Sequence, residues 1–254
     1  MSRLAGRSAI VTGGAIGIGR HYSQALAEAG AQVVIADIVD GSDVAKEIAA
    51  KDGGDAAISV TCDVSDESSV KRLVDRALER FGKIDILVNN AALFAQIKPT
   101  RCIDLDVETW DKVMAVNVRG PFLMAKHVAP HMMARRYGKI INIGSGSASR
   151  GMPEMLHYVS SKGAILAFTR ALCRELGDYG ICVNTLAPGY TLSETALQNA
   201  THLEQSRAIS IQRRAIKRDQ YPQDLLGALV FLASSDSDFI TGQTIAVDGG
   251  ATNT

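Results

Sequence analysis

"SAIVTGGAIGIGRHYSQALAEAG", residues 8–30, decides the fold. A short run rich in Ile and Val ends in a cluster of glycines and passes directly into a stretch with apolar residues at helical spacing. The order is strand, glycine turn, helix. Gly13, Gly17 and Gly19 permit a tight turn, a close approach of backbone to phosphate and close packing of the helix, and the helix N-terminus offers its free N–H groups to a pyrophosphate. The spacing departs from GxGxxG, and a glycine-rich turn without a ligand is the alternative.

Outward from this turn the same rhythm repeats. Apolar runs occur in "AQVVIADI", "AAISVTCDV", "IDILVNNAA", "KIINIGSGSA", "ICVNTLAPG" and "QTIAVDGG", and with the first they predict seven buried strands. Segments between them, such as 66–81 and 107–135, carry apolar residues at three- and four-residue spacing and predict helices. Alternation of this kind implies an α/β fold, a Rossmann-type doubly wound parallel sheet covered by helices on both faces, with ligands bound beyond the carboxyl ends of the strands. No repeat or linker divides the 254 residues, so a single domain over 1–254 is expected. Only residues 190–220 break the pattern, and they predict a short helical lid. The basic residues of that lid, Arg207, Arg213, Arg214, Lys217 and Arg218, read as a solvated helix face, with contact to an anionic substrate or partner as the alternative.

Composition narrows the function. The 27 basic residues balance the 27 acidic ones, which favours neither nucleic acid nor an anionic membrane as partner. No apolar run approaches the roughly 18 residues of a membrane span. Cys62, Cys102, Cys173 and Cys182 form no CxxC and no metal-ligand spacing, so a reduced compartment and no metal are expected. The first strand begins by about residue 8, which leaves no room for a leader and predicts a cytoplasmic protein.

Asp37, at the end of "VVIADIVD", stands 24 residues after Gly13, where an acid would accept hydrogen bonds from the adenosine ribose hydroxyls. It would also repel a 2′-phosphate, by about 4 kcal/mol at 4 Å and an effective dielectric near 20. No Arg or Lys occupies position 15, 16 or 38, so NAD is expected over NADP. A solvated loop aspartate is the alternative. Asp63 and Val64, after the third strand, could hold the adenine edge, or Asp63 could cap a helix beginning near Ser65. Finally "HYVSSKGA", residues 157–164, places Tyr158 and Lys162 four apart, on one helical face.

"TGGAIGIG", "NNAA" at 89–92, "IGSGSA" at 143–148 and "YVSSK" at 158–162 fall in order along one chain, which in this respect resembles the short-chain dehydrogenase/reductase family. The resemblance extends to "VMAVNVRG", "NTLAPGYTLS" and "FITGQTIAVDGG", and so covers essentially the whole sequence. It implies a catalytic tetrad of Asn117, Ser145, Tyr158 and Lys162, the serine lying 13 residues before the tyrosine. Ser147 is the competing serine. It further implies that Ile18 and Asn90 join the cofactor site, that Pro188 and Gly189 turn under the nicotinamide, and that Thr191 and Ser193 bond its carboxamide. Three letters depart from the family pattern: Ala92 and Gly144 stand where glycine and serine are usual, and Ser193 where threonine is commoner.

In the chemistry this implies, Ser145 bonds the substrate oxygen, Tyr158 takes its proton as hydride passes to the nicotinamide, Lys162 holds the nicotinamide ribose, and Asn117 holds a water leading to solvent. Ionising a tyrosine near pH 7 needs about three pKa units, of which one ammonium supplies one to three. Lys162 and the positive nicotinamide ring are expected to share the task. Pocket residues are expected from Leu93, Phe94, Ser147, Met152, His157, Tyr190 and Leu192, mostly apolar. They point to a hydrophobic secondary alcohol, aromatic or alicyclic, and the order of motifs looks like the alcohol-oxidising branch that includes phenylethanol dehydrogenase. Sugar and polyol dehydrogenases share the frame; a 3-oxoacyl thioester reductase and a non-catalytic NAD sensor are further alternatives. Arg150 reads as solvent-facing, with a substrate carboxylate as its other possible contact. Family resemblance also implies a homotetramer paired through 107–135, 155–177 and the last strand.

Overall fold

The strands alternate sides residue by residue, and that alternation builds two cores. From β1 (Ser8–Thr12), β2 (Gln32–Asp37) and β4 (Ile86–Asn89), the side chains of Ala9, Val11, Val33, Ile35 and Val88 face one layer, while Ile10, Val34 and Leu87 face the other. The first layer is closed by Tyr22 and Leu26 of α1 (Gly17–Glu28) and by Leu225, Leu229 and Leu232 of α9 (Gln223–Ala233). The second is closed by Leu73 and Val74 of α3 (Glu67–Phe81) and by Met124, Val128 and Met132 of α5 (Gly120–Arg135).

The computed structural model describes residues 2–52, 54, 56–194 and 200–252. With β3 (Ala57–Thr61), β5 (Gly138–Ile143), β6 (Ile181–Pro188) and β7 (Thr244–Val247), the strands form one seven-stranded sheet in the order β3-β2-β1-β4-β5-β6-β7. Every pairing is parallel. The chain winds outward from β1 to β3 and then returns to lay β4 on the other side of β1, so the switch point lies between β1 and β4. α2 (Ser42–Asp52) completes the helices of the first half.

The region 107–135 is helical throughout but not uniform. α4 (Val107–Met114) and α5 are joined by a π-helical turn, Ala115–Arg119, that contains Asn117. A turn of that kind widens the helix by one residue per turn and often marks a functional position. Nothing in "VMAVNVRG" announces it. α7 (Leu156–Leu176) buries one stripe of its surface: His157, Tyr158, Ser161, Lys162, Ile165, Thr169, Cys173 and Leu176. Its chemical residues are therefore the N-terminal end of a packing face.

Under the carboxyl ends of the central strands a buried polar chain links four elements. Asn89 of β4 donates to Asn142 of β5 at 2.8 Å, Asn142 donates to Thr169 of α7 at 2.8 Å, and Thr169 bonds Thr185 of β6 at 2.8 Å. Within 190–220 the described residues include one helix, α8 (Ala200–Arg213), while residues 195–199 of the expected lid lie outside the described residues. Among the described residues no helix is long and apolar enough to cross a membrane.

Candidate active site

One cleft of about 870 Å³ runs along the carboxyl edge of the sheet. At its β1 end the glycine turn is shaped for close contact. Gly13 and Gly17 hold φ of 61° and 56°, where a side chain would strain the backbone, and a Cβ on Gly19 would collide with the Gly13 carbonyl oxygen. Ile16, the residue that caps α1, makes no side-chain cap bond, and the first turn holds no acid, so its N–H groups are left for an anion. Thr12 and Asn90 fasten the turn across the switch point. Thr12 Oγ1 accepts from the Asn90 and Ala91 N–H groups at 3.0 and 3.1 Å, and Asn90 Nδ2 donates to the Thr12 and Gly13 carbonyls, each at 2.9 Å.

Asp37 closes this end. Its carboxylate accepts from the Ala15 N–H at 3.0 Å and the Val39 N–H at 3.3 Å, which fixes its direction and leaves lone pairs for two hydroxyls. Ala15, Ile16 and Ile38 surround it without a cation, and Arg20 is turned away to Glu47 at 2.7 Å. Asp63 and Val64 line the neighbouring wall. Asp63 is not a helix cap: α3 begins at Glu67 with Asp66 as its cap, and Asp63 accepts instead from the Ser65 N–H and hydroxyl at 2.8 and 2.7 Å. Glycine cradle, uncapped helix and oriented carboxylate together fit a dinucleotide.

At the other end β5 delivers Ser145 and α7 delivers Tyr158 and Lys162 to the same wall. Ser145 Oγ accepts from the Ser147 N–H at 3.2 Å and the Ser147 hydroxyl at 2.9 Å. Its own hydrogen is thereby left to donate, and its hydroxyl lies close enough to the Tyr158 phenol to draw that group's pKa down. Phe94 packs on Tyr158 with ring centroids 4.7 Å apart. Lys162 Nζ donates to the Ile143 carbonyl at 2.7 Å and stands 5.8 Å from the centre of the tyrosine ring.

Burial pushes Tyr158 up to about 12, against a smaller downward pull from Ser145, and pushes Lys162 down to about 8. The expectation that Lys162 lowers the phenol is thus not met in the protein alone: desolvation of the phenolate outweighs every other influence. Asn117 is held by its side chain. Its side chain accepts from the Leu93 N–H at 2.8 Å and donates to the Leu93 carbonyl at 3.2 Å and to Ser161 Oγ at 3.1 Å, so it clamps the "NNAA" loop. Ser161 in turn donates to the Tyr158 carbonyl at 2.7 Å.

Phe94, Ser147, Met152 and Tyr190 line the cleft, as does Leu93. His157 does not: one position before Tyr158 on the helix it faces inward, fully buried, and neither ring nitrogen has a hydrogen-bond partner among the described residues. Leu192 is likewise buried off the cleft. Gly144, where the family pattern favours serine, is required by packing, because a Cβ there would lie 2.6 Å from the Thr185 methyl.

The loop after β6 supplies the wall between the two ends. Pro188, Gly189, Thr191 and Ser193 line it, with Gly189 N–H bonded to the Val247 carbonyl at 3.0 Å and Thr191 bridged to Gln220. The basic residues of 190–220 separate into different roles. Arg207 pairs with Asp219 at 2.8 Å, Arg218 pairs with Asp224 at 2.7 Å, and Lys217 donates to the Gln212 carbonyl at 2.6 Å. Arg214 is buried, donating to the carbonyls of Tyr190 and Arg218 and to Gln220. Arg213 faces the cleft.

Sequence reasoning missed Thr12, Ser161 and Lys112, and read Arg213 and Arg214 first as a solvated face, with an anionic contact as the alternative. Thr12 and Ser161 sit inside the quoted motifs and were legible as hydroxyls beside them. Lys112 arrives from α4, and no local pattern marks it.

Fold and site define a Rossmann-type oxidoreductase that works with a nicotinamide dinucleotide. The chain belongs to the short-chain dehydrogenase/reductase family: residues 13–252 match the family described as Enoyl-(Acyl carrier protein) reductase. It is 39% identical over 248 residues to 2-dehydro-3-deoxy-D-gluconate 5-dehydrogenase of Dickeya dadantii (strain 3937), covering 97% of this chain and 96% of that protein. It is also 39% identical over 258 residues to galactitol 2-dehydrogenase of Agrobacterium fabrum (strain C58 / ATCC 33970), covering 98% of each. A solved structure of an Agrobacterium tumefaciens protein, provisionally assigned as a gluconate dehydrogenase, superposes with a TM-score of 0.89 at 36% identity, covering 98% of this chain and 96% of that one.

Proposed function

We propose that this protein oxidises a secondary carbinol of a polyhydroxylated substrate, a polyol or a sugar acid, to the ketone, with NAD as hydride acceptor. The observation that carries the reading is the meeting of Ser145, Tyr158 and Lys162 on one wall of the cleft whose other end is the glycine turn and Asp37. The expected hydrophobic alcohol gives way to the polyol alternative. Relatives named for gluconate-type and galactitol substrates support that choice, as do the charged side chains Lys112, Arg150 and Arg213 in a wall expected to be apolar.

Bound NAD supplies the hydride acceptor. Gly13, Gly17, Ile18, Gly19 and the α1 N-terminus would hold its pyrophosphate, Asp37 its adenosine ribose, Asp63 and Val64 its adenine, and the Pro188–Ser193 loop its nicotinamide. Asn90 acts mainly by fixing the turn. Ser145, already directed by Ser147, donates to the substrate oxygen. Tyr158 then accepts the carbinol proton at its phenolic oxygen. Because burial alone holds the phenol near 12, its ionisation depends on positive charge brought into the cleft, and Lys162 would hold the nicotinamide ribose beside it. Asn117, its side chain engaged with Leu93 and Ser161, would serve the proton path from its place in the π-helical turn. Asp37 without a neighbouring cation supports NAD over NADP, and the family habit supports a homotetramer.

The test is reduction of NAD and of NADP across polyols, sugar acids and hydrophobic secondary alcohols. NAD-linked turnover of polyols or sugar acids is expected, and Tyr158→Phe should lower it by about 10³-fold while NADH binding stays near wild type. Turnover confined to hydrophobic alcohols would refute the substrate class. Tight NADH binding without any turnover would refute the enzyme.

A further inference from the structure

Charge is divided along the cleft. The acids in its wall, Asp37 and Asp63, follow β2 and β3 at the adenosine end. The cations other than Lys162 come from elements at the opposite end: Lys112 from α4, Arg150 from the short helix α6 (Ser147–Arg150) and Arg213 from α8. Arg150 is exposed, as its sequence reading expected, and its guanidinium reaches the chain beside Ser145 while lining the cleft. Its Nη2 lies 3.3 Å from the point where a side chain on Gly146 would begin, one residue past Ser145.

Neither Arg150 nor Arg213 has a carboxylate within ion-pair distance among the described residues, although Arg207 and Arg218 on the same insertion do. Asp248 comes near Gly146, its Oδ2 3.5 Å from the same point, but its carboxylate is occupied by the N–H groups of Gly250 and Ala251, each at 3.0 Å, and by the Thr252 hydroxyl. Burial lowers Arg214's hold on its proton, and repulsion from Arg150 adds a smaller push in the same direction. An anion placed at this end would relieve that repulsion, and a guanidinium matches a planar carboxylate with two parallel hydrogen bonds.

We infer that this end of the cleft is a carboxylate subsite, and that the substrate is a hydroxy acid whose acid group is held by Arg150 and Arg213 while its carbinol meets Ser145 and Tyr158. The inference rests on the carbinol oxidation proposed above. Lys112 adds a longer-range attraction.

D-gluconate and D-sorbitol differ at one end, acid against alcohol, and so isolate the subsite. Wild-type protein is expected to favour gluconate in kcat/KM by about 10- to 100-fold, mostly through KM, and Arg150→Gln and Arg213→Gln should each shrink that ratio. Binding of the same pair to the NADH complex, read from cofactor fluorescence, gives a measure that needs no turnover: gluconate should bind tighter in wild type, and the difference should vanish in the double variant. Equal binding of the two, binding of neither, or a ratio untouched in the double variant overturns the subsite. Tighter binding of sorbitol 6-phosphate than of gluconate overturns the choice of carboxylate. Selective gluconate binding with no turnover of any alcohol would keep the subsite and remove the carbinol reading.

Discussion

Lys162 carries a cost that pH can reveal. Its ammonium is buried, and its pKa falls from 10.5 to about 8, while in the unfolded chain it keeps the ordinary value. Between those limits the unfolded state binds more protons than the folded state, so stability rises with pH across that window. From pH 7.5 to 9.5 the unfolding free energy of wild type should gain about 2 kcal/mol over Lys162→Met, measured by denaturant titration of the cofactor-free protein. Parallel curves for the two would show that the lysine is not desolvated. Tyr158 acts in the opposite sense, raised to about 12, and its stabilising contribution is lost only as pH climbs above 10. Both residues, with Ser145, were legible because their spacing is fixed within one helix or one strand end. His157 was misplaced for the same reason in reverse: adjacency in sequence to Tyr158 turns a helical side chain about 100° away.

α7 is held in rotation as well as in place. A stripe of Leu or Ile would let the helix slide or turn at little cost, since apolar contacts are not directional. The bonds from Thr169 to Asn142 and Thr185 allow one orientation, and that orientation points Tyr158 and Lys162 into the cleft. Thr169→Val should therefore cost about 1–3 kcal/mol of stability and lower kcat more than it weakens NADH binding, whereas Thr169→Ser should restore both. Equal behaviour of the two variants would assign Thr169 to packing alone. The strand and helix pattern was readable at this scale from hydrophobic periodicity, and the α3 boundary missed by one residue because two aspartates compete for its start. The π-helical turn had no signal: Ala115–Arg119 contains neither glycine nor proline, and its shape is set by Asn117 reaching across to Leu93.

At the scale of the molecule the sheet was legible and its ligand edge followed from topology, whereas the charge of the cleft was not, because Lys112, Arg150 and Arg213 come together only through tertiary packing. Surface composition supports the assembly expected of the family. Val107 on α4, Phe122 on α5 and Leu156 on α7 are exposed, and Phe239, just before β7, is fully so. These lie on or beside the segments expected to pair subunits, and burying them is the ordinary use of such side chains. Sedimentation or light scattering should give a tetramer for wild type and a smaller species for Phe239→Asp; an unchanged mass would place Phe239 outside the interface.

Arg214 joins parts that the chemistry would otherwise leave separate. It is anchored to the Tyr190 carbonyl in the loop after β6 and to Gln220 and the Arg218 carbonyl beyond α8. While those bonds hold, the loop after β6 and the segment beyond α8 share one anchor. Removing that one buried guanidinium would therefore unfasten both segments at once.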